Sequence, residues 1–242
     1  MNLVQVGKSH LKKADNNRVG ASRAEQDLVD HLTAALRKSN STKSLAVTTE
    51  LDCFQGIADV VSGVYSGYRL LSGLSKKKLR AFSFSTSKVL AALAGRRRAT
   101  ITKTAIRAGL SLPTVKSELS SLQSLGLLRI TRGGQIEVRH TIRTPFSEIV
   151  AYEVKVKDWK SGIYQARNYK SFAHKVSVAL PLARANRLAE KLPEFRRMHV
   201  GLVGIGPQGG LRWLLKPRRR RPISPPRHFH AAMCLLGEIR SF

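Results

Sequence analysis

Acidic residues are scarce in this chain. Over 242 residues, 15 Asp and Glu stand against 43 Lys and Arg, a formal net charge of +28. A chain so poor in negative charge does not fit the usual acidic small-molecule enzyme or soluble cytosolic hydrolase, and a polyanion is the expected partner. Cysteine is scarcer still. Cys53 and Cys234 form neither a CxxC zinc pair nor a disulfide framework, which excludes a secreted domain held by staples. Aromatics make up 6% of the chain and no strand carries an exposed-aromatic motif, which argues against RNA recognition by base stacking. No apolar run reaches the ~18 residues of a membrane span, and the opening MNLVQVGKSHLKK lacks the apolar core of a signal peptide. The expectation is a cytoplasmic, nucleoid-associated protein with no membrane partner.

What is present is enough apolar residue, 42%, to bury the core of one large domain or two small ones. The positive charge is spread along the chain, at +6 over residues 1–80, +8 over 81–140 and +14 over 141–242. More than one surface is therefore expected to meet phosphate. Residues 22–38 place a Ser22 cap, Glu25 three residues on, and Ala24, Leu28, Leu32 and Leu36 at helical spacing. Residues 44–56 and 57–67 read as two adjacent strands broken at Gly56. Residues 65–83 are basic and glycine-broken, with no clean period, and read as a connector.

From 84 to 140 the pattern is helix, helix, tight turn at Ala108–Ser111, a third helix from Pro113 to Gly126, and a hairpin turning at Gly133 and Gly134. That order resembles a winged helix-turn-helix domain. Its basic residues Arg96, Arg97, Arg98, Lys103, Lys116 and Arg132 favour duplex contact, with Thr114 and Lys116 near the start of the candidate recognition helix. After it come a strand ending in AYEVKVKDW, a helix containing YQARNY, a strand VSVALP, a helical stretch around RANRLAEKL, and a hairpin with its tip at Gly206 to Gly210. GIGPQGG lacks the Gly-Lys-Ser/Thr of a phosphate loop, so it reads as that tip. Residues 216–242 read as an Arg/Pro-rich basic tail: a mobile linker, a short final helix, and Arg218, Arg219, Arg220 and Arg221 as a phosphate clamp or a localisation signal. His228, His230 and Cys234 offer three zinc ligands and no fourth.

Chemistry enters with the acids. In a strand, side chains alternate, so Glu153 and Lys155 share one face while Tyr152, Val154 and Val156 take the other. If that strand pairs beside IADVVSG, Asp59 and Glu153 reach one hard divalent cation, Mg²⁺ or Mn²⁺, and Lys155 orients or activates a water for attack on a phosphodiester. Asp52 is the acid in reserve for Asp59.

With residues 65–140 lifted out, the segments ASRAEQDLVDHL, IAD, AYEVKVKDW, YQARNY and VSVALP resemble the PD-(D/E)xK nuclease superfamily, the restriction-endonuclease-like fold that includes Holliday junction resolvases. Ala58 stands where the motif's name has proline. The resemblance covers residues 20–64 and 141–215. It implies an α/β fold with a mixed sheet flanked by helices, interrupted by the winged-helix insertion. It also implies metal binding by Asp59 and Glu153, catalysis by Lys155, Glu25 as an auxiliary acid, and Gln165, with Tyr169, orienting site groups from the helix. Pairing as a homodimer to cut both strands follows from the same resemblance. The function expected is a DNA-binding, metal-dependent endonuclease; the alternative is a noncatalytic winged-helix DNA-binding regulator with the core as scaffold.

Overall fold

A computed structural model describes residues 22–39, 45–52, 54, 56–66, 82–138 and 141–238. Most of the basic connector (67–81), Cys53 and the chain before Ser22 lie outside the described residues.

Six strands form one mixed sheet. Helix α1 (Arg23–Ser39) precedes β1 (Leu45–Asp52) and β2 (Ile57–Tyr65), an antiparallel pair. In the inserted stretch, α2 (Phe84–Leu93), β3 (Arg98–Thr100), α3 (Ile101–Ala108), α4 (Leu112–Ser124), β4 (Leu128–Ile130) and β5 (Gln135–Val138) follow one another. The main sheet resumes at β6 (Phe146–Val154), antiparallel to β2. Helix α5 (Trp159–Asn168) then crosses over to β7 (Lys175–Pro181), parallel to β6. The short helices α6 (Leu182–Asn186) and α7 (Leu192–Met198) lead to β8 (Gly201–Ile205), again parallel, and β9 (Leu211–Leu215) turns back from it; α8 (Pro225–Leu236) closes the described chain. The order across the sheet is β1-β2-β6-β7-β8-β9.

Side-chain alternation sorts the core into two layers. Val29, Leu32 and Leu36 of α1 pack on Val47, Val60, Tyr152, Val154, Ala179 and Val203 on one face of the sheet. On the other face Ile149, Ala151, Val176 and Val178 meet Ile163, Ala166, Tyr169 and Phe172, and this layer continues into α8 and the insert. The helical stretch read around RANRLAEKL resolves as α6, a 3-10 turn at Ala189–Lys191 and α7, the last carrying Pro193 in its first turn.

The insert leaves and re-enters the sheet at one point, where Ser66 N–H donates to Pro145 O at 2.8 Å. Inside it, Gly109 takes the left-handed conformation (φ 59°) that ends α3, and Ser111 caps α4 through the Thr114 N–H. Ser83 and Thr86 form a capping box at the start of α2, and Glu118 of α4 accepts from both hydroxyls, at 2.9 and 2.7 Å. The sequence predicts two strands here; the structure has three, because Arg98–Thr100 adds to the hairpin in the order β3-β5-β4. A three-residue strand holds too little alternation to read.

The final segment differs from the mobile linker expected. Arg220 N–H donates to His174 O, Ile223 N–H to Lys170 O and Ser224 N–H to Ser171 O, all within 2.8–3.0 Å, so residues 216–224 form a strap along the sheet's end. Helix α8 then buries Phe229, Ala232, Met233, Leu235 and Leu236 against α2 and the sheet. Among the described residues no helix is long and apolar enough to cross a membrane.

Candidate active site

The register of β2 and β6 brings the acids together. Val60 pairs with Tyr152 in this antiparallel ladder, so one step further Asp59 stands opposite Glu153, on the same side of the sheet. The Val154 N–H donates to Asp59 Oδ2 at 2.7 Å, which fixes that carboxylate against the end of β6. Lys155 lies just past the strand, its N–H donating to Ala179 O at 3.0 Å, and its ammonium reaches back to Glu153 Oε1 at 2.6 Å. Glu153 is almost wholly buried, with 2% of its side chain exposed, and Lys155 shows 18%. Tyr169, at the start of the 3-10 turn that follows α5, places its hydroxyl between Glu153 Oε2 and Ile57 O. Glu25, in the first turn of α1, accepts from the Val156 N–H at 3.4 Å.

Packing holds this set in place. Gly162 of α5 lies so near β7 that a Cβ there would come within 3.1 Å of Val178 and 3.3 Å of the Lys155 stem. The helix therefore presses directly on the lysine.

Electrostatics follow from burial. Removal from water, then the neighbouring Asp59 charge, push Glu153 up to about 7, against the Lys155 and Tyr169 hydrogen bonds that favour its ionised form. Burial draws Lys155 down, but its bond to Glu153 and the charges of Glu153, Asp59 and Glu25 outweigh this, and its pKa is raised. With both carboxylates ionised, the one ammonium leaves the site short of positive charge.

That shortage, with hard oxygen donors on two adjacent strands, fits an oxygen-preferring divalent cation. Among the described residues no group of three or more His, Cys, Asp or Glu is gathered to hold a metal. Mg²⁺ commonly takes one or two carboxylates and completes its shell with water and substrate phosphate.

The remaining residues expected from the sequence fall elsewhere. Gln165 is exposed on α5, its Oε1 accepting from Ser161 Oγ at 3.5 Å; the side chain that reaches Glu153 from this region is Tyr169. Asp52, held in reserve, ends β1 and accepts from the Phe54 N–H at 2.8 Å, in the turn beside α8. His228 and His230 project from different sides of α8, as residues two apart on a helix must. His228 bonds Phe172 O and Thr144, while His230 packs on Phe54 and Phe84 with Cys234 Sγ 3.9 Å away.

Of the basic residues, Arg96, Arg97, Lys103, Lys116 and Arg132 are exposed on the insert, and Arg98 lies 3.6 Å from Glu137. Thr114 is half-buried, its hydroxyl 2.8 Å from that of Ser111 in the α4 cap. Arg218, Arg220 and Arg221 line a cavity, whereas Arg219 is turned to Ser147 O and Glu148. Tyr169 is buried in the site yet carries little sequence signal, since its Tyr-x-x-Phe spacing also reads as helix core. Comparison with protein-family models, with curated proteins and with solved structures finds no match to this chain.

Proposed function

We propose that this chain binds DNA and hydrolyses its phosphodiester backbone at the Asp59–Glu153–Lys155 site, on a restriction-endonuclease-like core whose insert acts as a winged helix. The observation that carries this is the facing pair Asp59 and Glu153 with the Lys155 ammonium 2.6 Å from Glu153. Further support comes from the element order, helix, two strands, a third strand, crossover helix and parallel strand, which places these groups at one end of the sheet.

The chain's own residues would act as follows. Asp59 and Glu153 offer oxygens to a divalent cation, Asp59 oriented by the Val154 N–H and Glu153 by Tyr169. A bound Mg²⁺ or Mn²⁺ would supply Lewis acidity to the phosphodiester and a more acidic water. Lys155, released from part of its pairing with Glu153, donates hydrogen bonds to the attacking water or to a phosphate oxygen. Glu25 stands at the end of α1 as a further acceptor for that water. In the insert, α4 presents Lys116 to duplex DNA, while Arg132 at the β4–β5 turn and Arg96 to Arg98 contact phosphates.

The test is a plasmid-cleavage assay in Mg²⁺ and in Mn²⁺. Wild-type protein should nick or linearise supercoiled DNA, and Glu153→Gln and Lys155→Met should each lose at least about a hundredfold in rate, the order expected for removing one electrostatic contributor. Both variants should retain DNA affinity. Wild-type protein that binds DNA and cuts none of supercoiled, linear or branched substrates would replace this reading with the noncatalytic regulator.

A further inference from the structure

A cavity of about 710 Å³ opens where the end of α5 and its 3-10 turn meet the start of β7, the end of α7 and the 216–224 strap. Its size falls in the range of small-molecule sites. None of Asp59, Glu153 and Lys155 lines it, although Tyr169, which bonds Glu153, stands between the lining residues Asn168 and Lys170.

Five cationic side chains, Arg167, Lys170, Arg218, Arg220 and Arg221, line this cavity with no Asp or Glu among its lining residues. Assembling them costs free energy while the cavity holds only water. Burial, and then the Arg167 and Arg220 charges, lower the Lys170 pKa, the mark of cations held together against their repulsion. Among the described residues Arg98 lies 3.6 Å from Glu137 and Arg219 3.8 Å from Glu148. Here Arg220 Nη2 donates instead to the His199 imidazole at 2.8 Å, which aims the guanidinium without neutralising it. His199 holds that place in the left-handed conformation (φ 51°), where glycine is the ordinary choice for ending α7. Lys170 is aimed likewise by donating to Met198 O, and the strap is tied down by the Arg220 and Ile223 backbone bonds.

The apolar part of the lining narrows the ligand. Tyr164 is 65% exposed and Ile223 76%, two large apolar side chains on the rim of a cationic cavity floored by Ala173 and Val176. A bare inorganic anion has no use for them, whereas an aromatic ring beside a phosphate site is a platform for a base.

We propose that this cavity binds a phosphate group together with its attached nucleoside, carried either by a free nucleotide or by the terminus of a nucleic-acid strand. The inference does not rest on the nuclease reading, because it asks for binding alone.

Calorimetric titration of the full chain in EDTA tests it, with ATP, AMP, pyrophosphate and short single strands bearing a 5′-phosphate or a 5′-hydroxyl as probes. Arg167→Ala/Arg221→Ala should weaken the phosphate-bearing probes by at least about tenfold, the loss expected from two charge-assisted hydrogen bonds. Arg184→Ala/Arg187→Ala, which removes equal charge from exposed positions of the α6 region outside the cavity, should change them less than about twofold, as screened surface charges do. Tyr164→Ala should weaken AMP and the strands and leave pyrophosphate unchanged. Tight AMP or ATP with indifferent strands assigns the free nucleotide; preference for the 5′-phosphorylated strand over its hydroxyl counterpart assigns the strand end. Equal losses from the two arginine pairs, or no probe bound in a phosphate-dependent way, overturn the proposal. The titrations are run in EDTA, where metal-dependent cleavage does not proceed, so failure here and failure of cleavage are read separately.

Discussion

Tyr169 has one hydroxyl hydrogen and two acceptors, Glu153 Oε2 and Ile57 O. Glu153, pushed towards neutral pH, completes the chain when it carries a proton: its O–H donates to the tyrosine oxygen, and the tyrosine donates to Ile57 O. Tyr169→Phe breaks either arrangement and strands buried oxygens, so urea unfolding should show a loss of about 1–3 kcal/mol. On the proposed reading it should also slow cleavage without weakening DNA binding. Gly162→Ala tests the same site from the helix side. It adds helix propensity worth up to about 1 kcal/mol, but its Cβ crowds Val178 and the Lys155 stem. Stability should hold within about 1 kcal/mol, since the two effects oppose, while cleavage falls because the ammonium is displaced; a rate equal to wild type would show that Lys155 needs no such positioning. A third residue-scale outcome concerns His174. Its Nδ1 accepts the Ile149 N–H at 3.0 Å, which only the neutral ring with its proton on Nε2 permits. Burial, then His228, Arg219 and Lys175, hold its pKa down at about 4, and burial lowers the His228 pKa as well. The unfolded chain takes up these protons near pH 6.5 and the folded chain only lower, so their contribution is complete above pH 6.5 and is lost as pH falls towards 4. His174→Asn keeps an acceptor but does not titrate, and its melting temperature should fall less steeply over that window than wild type's.

At the scale of elements, what the sequence revealed depended on how much pattern each element carried. Helix α1 was legible because Leu28, Leu32 and Leu36 give it an apolar period matched to one buried face, and the central strands β2, β7 and β8 because, buried on both faces, they are near-continuous apolar runs. The adjacency of Asp59 and Glu153 was also inferable, since β2 and β6 pair across the break of residues 66–145. Less legible was anything set by distant partners. The Arg/Pro composition of residues 216–224 reads as a linker, and only the carbonyls of Lys170, Ser171 and His174 make it a strap. Helix α8 likewise looked peripheral, yet it supplies much of the apolar surface that covers α2. Residues 84–138 therefore share their core with the chain's end. Ending the chain after Ser224 removes Phe229, Met233, Leu235 and Leu236 from burial, each worth about 1.5–3 kcal/mol. The truncated protein should melt well below the full chain or fail to fold. Equally, an excised 82–138 fragment should gain stability when a 225–238 peptide is supplied in trans; an unchanged melting curve on adding that peptide would show that the insert's own core suffices.

For the molecule as a whole, 43 basic residues stand against 15 acidic ones, and among the described residues basic side chains are exposed on the insert and line the α5–strap cavity. Such a distribution engages several phosphates at once on the proposed DNA-binding reading. Every neutralised phosphate releases counterions, so log affinity should fall against log salt with a slope of about −0.9 per contact; six contacts lose roughly a thousandfold between 50 and 200 mM. The structure refines which arginines carry that slope. Arg218, Arg220 and Arg221 line the cavity, Arg220 bonded there to the neutral His199 ring, whereas Arg219 is committed to Ser147 O and Glu148. Replacing the first three should flatten the salt slope and leave sequence preference unchanged, because phosphate contacts position without reading bases. Arg219→Ala should leave the slope nearly as it was, since its charge is already partly answered by Glu148. Lys116→Ala, near the start of the exposed helix of the insert, should flatten the slope by about one contact and alter any sequence preference, since the first turns of a recognition helix reach base edges. Fluorescence-anisotropy titrations at four salt concentrations separate these cases. Identical slopes for the Arg218/Arg220/Arg221 variant and wild type would remove the strap from the DNA-binding surface, and an unchanged preference in the Lys116 variant would remove α4 from the groove.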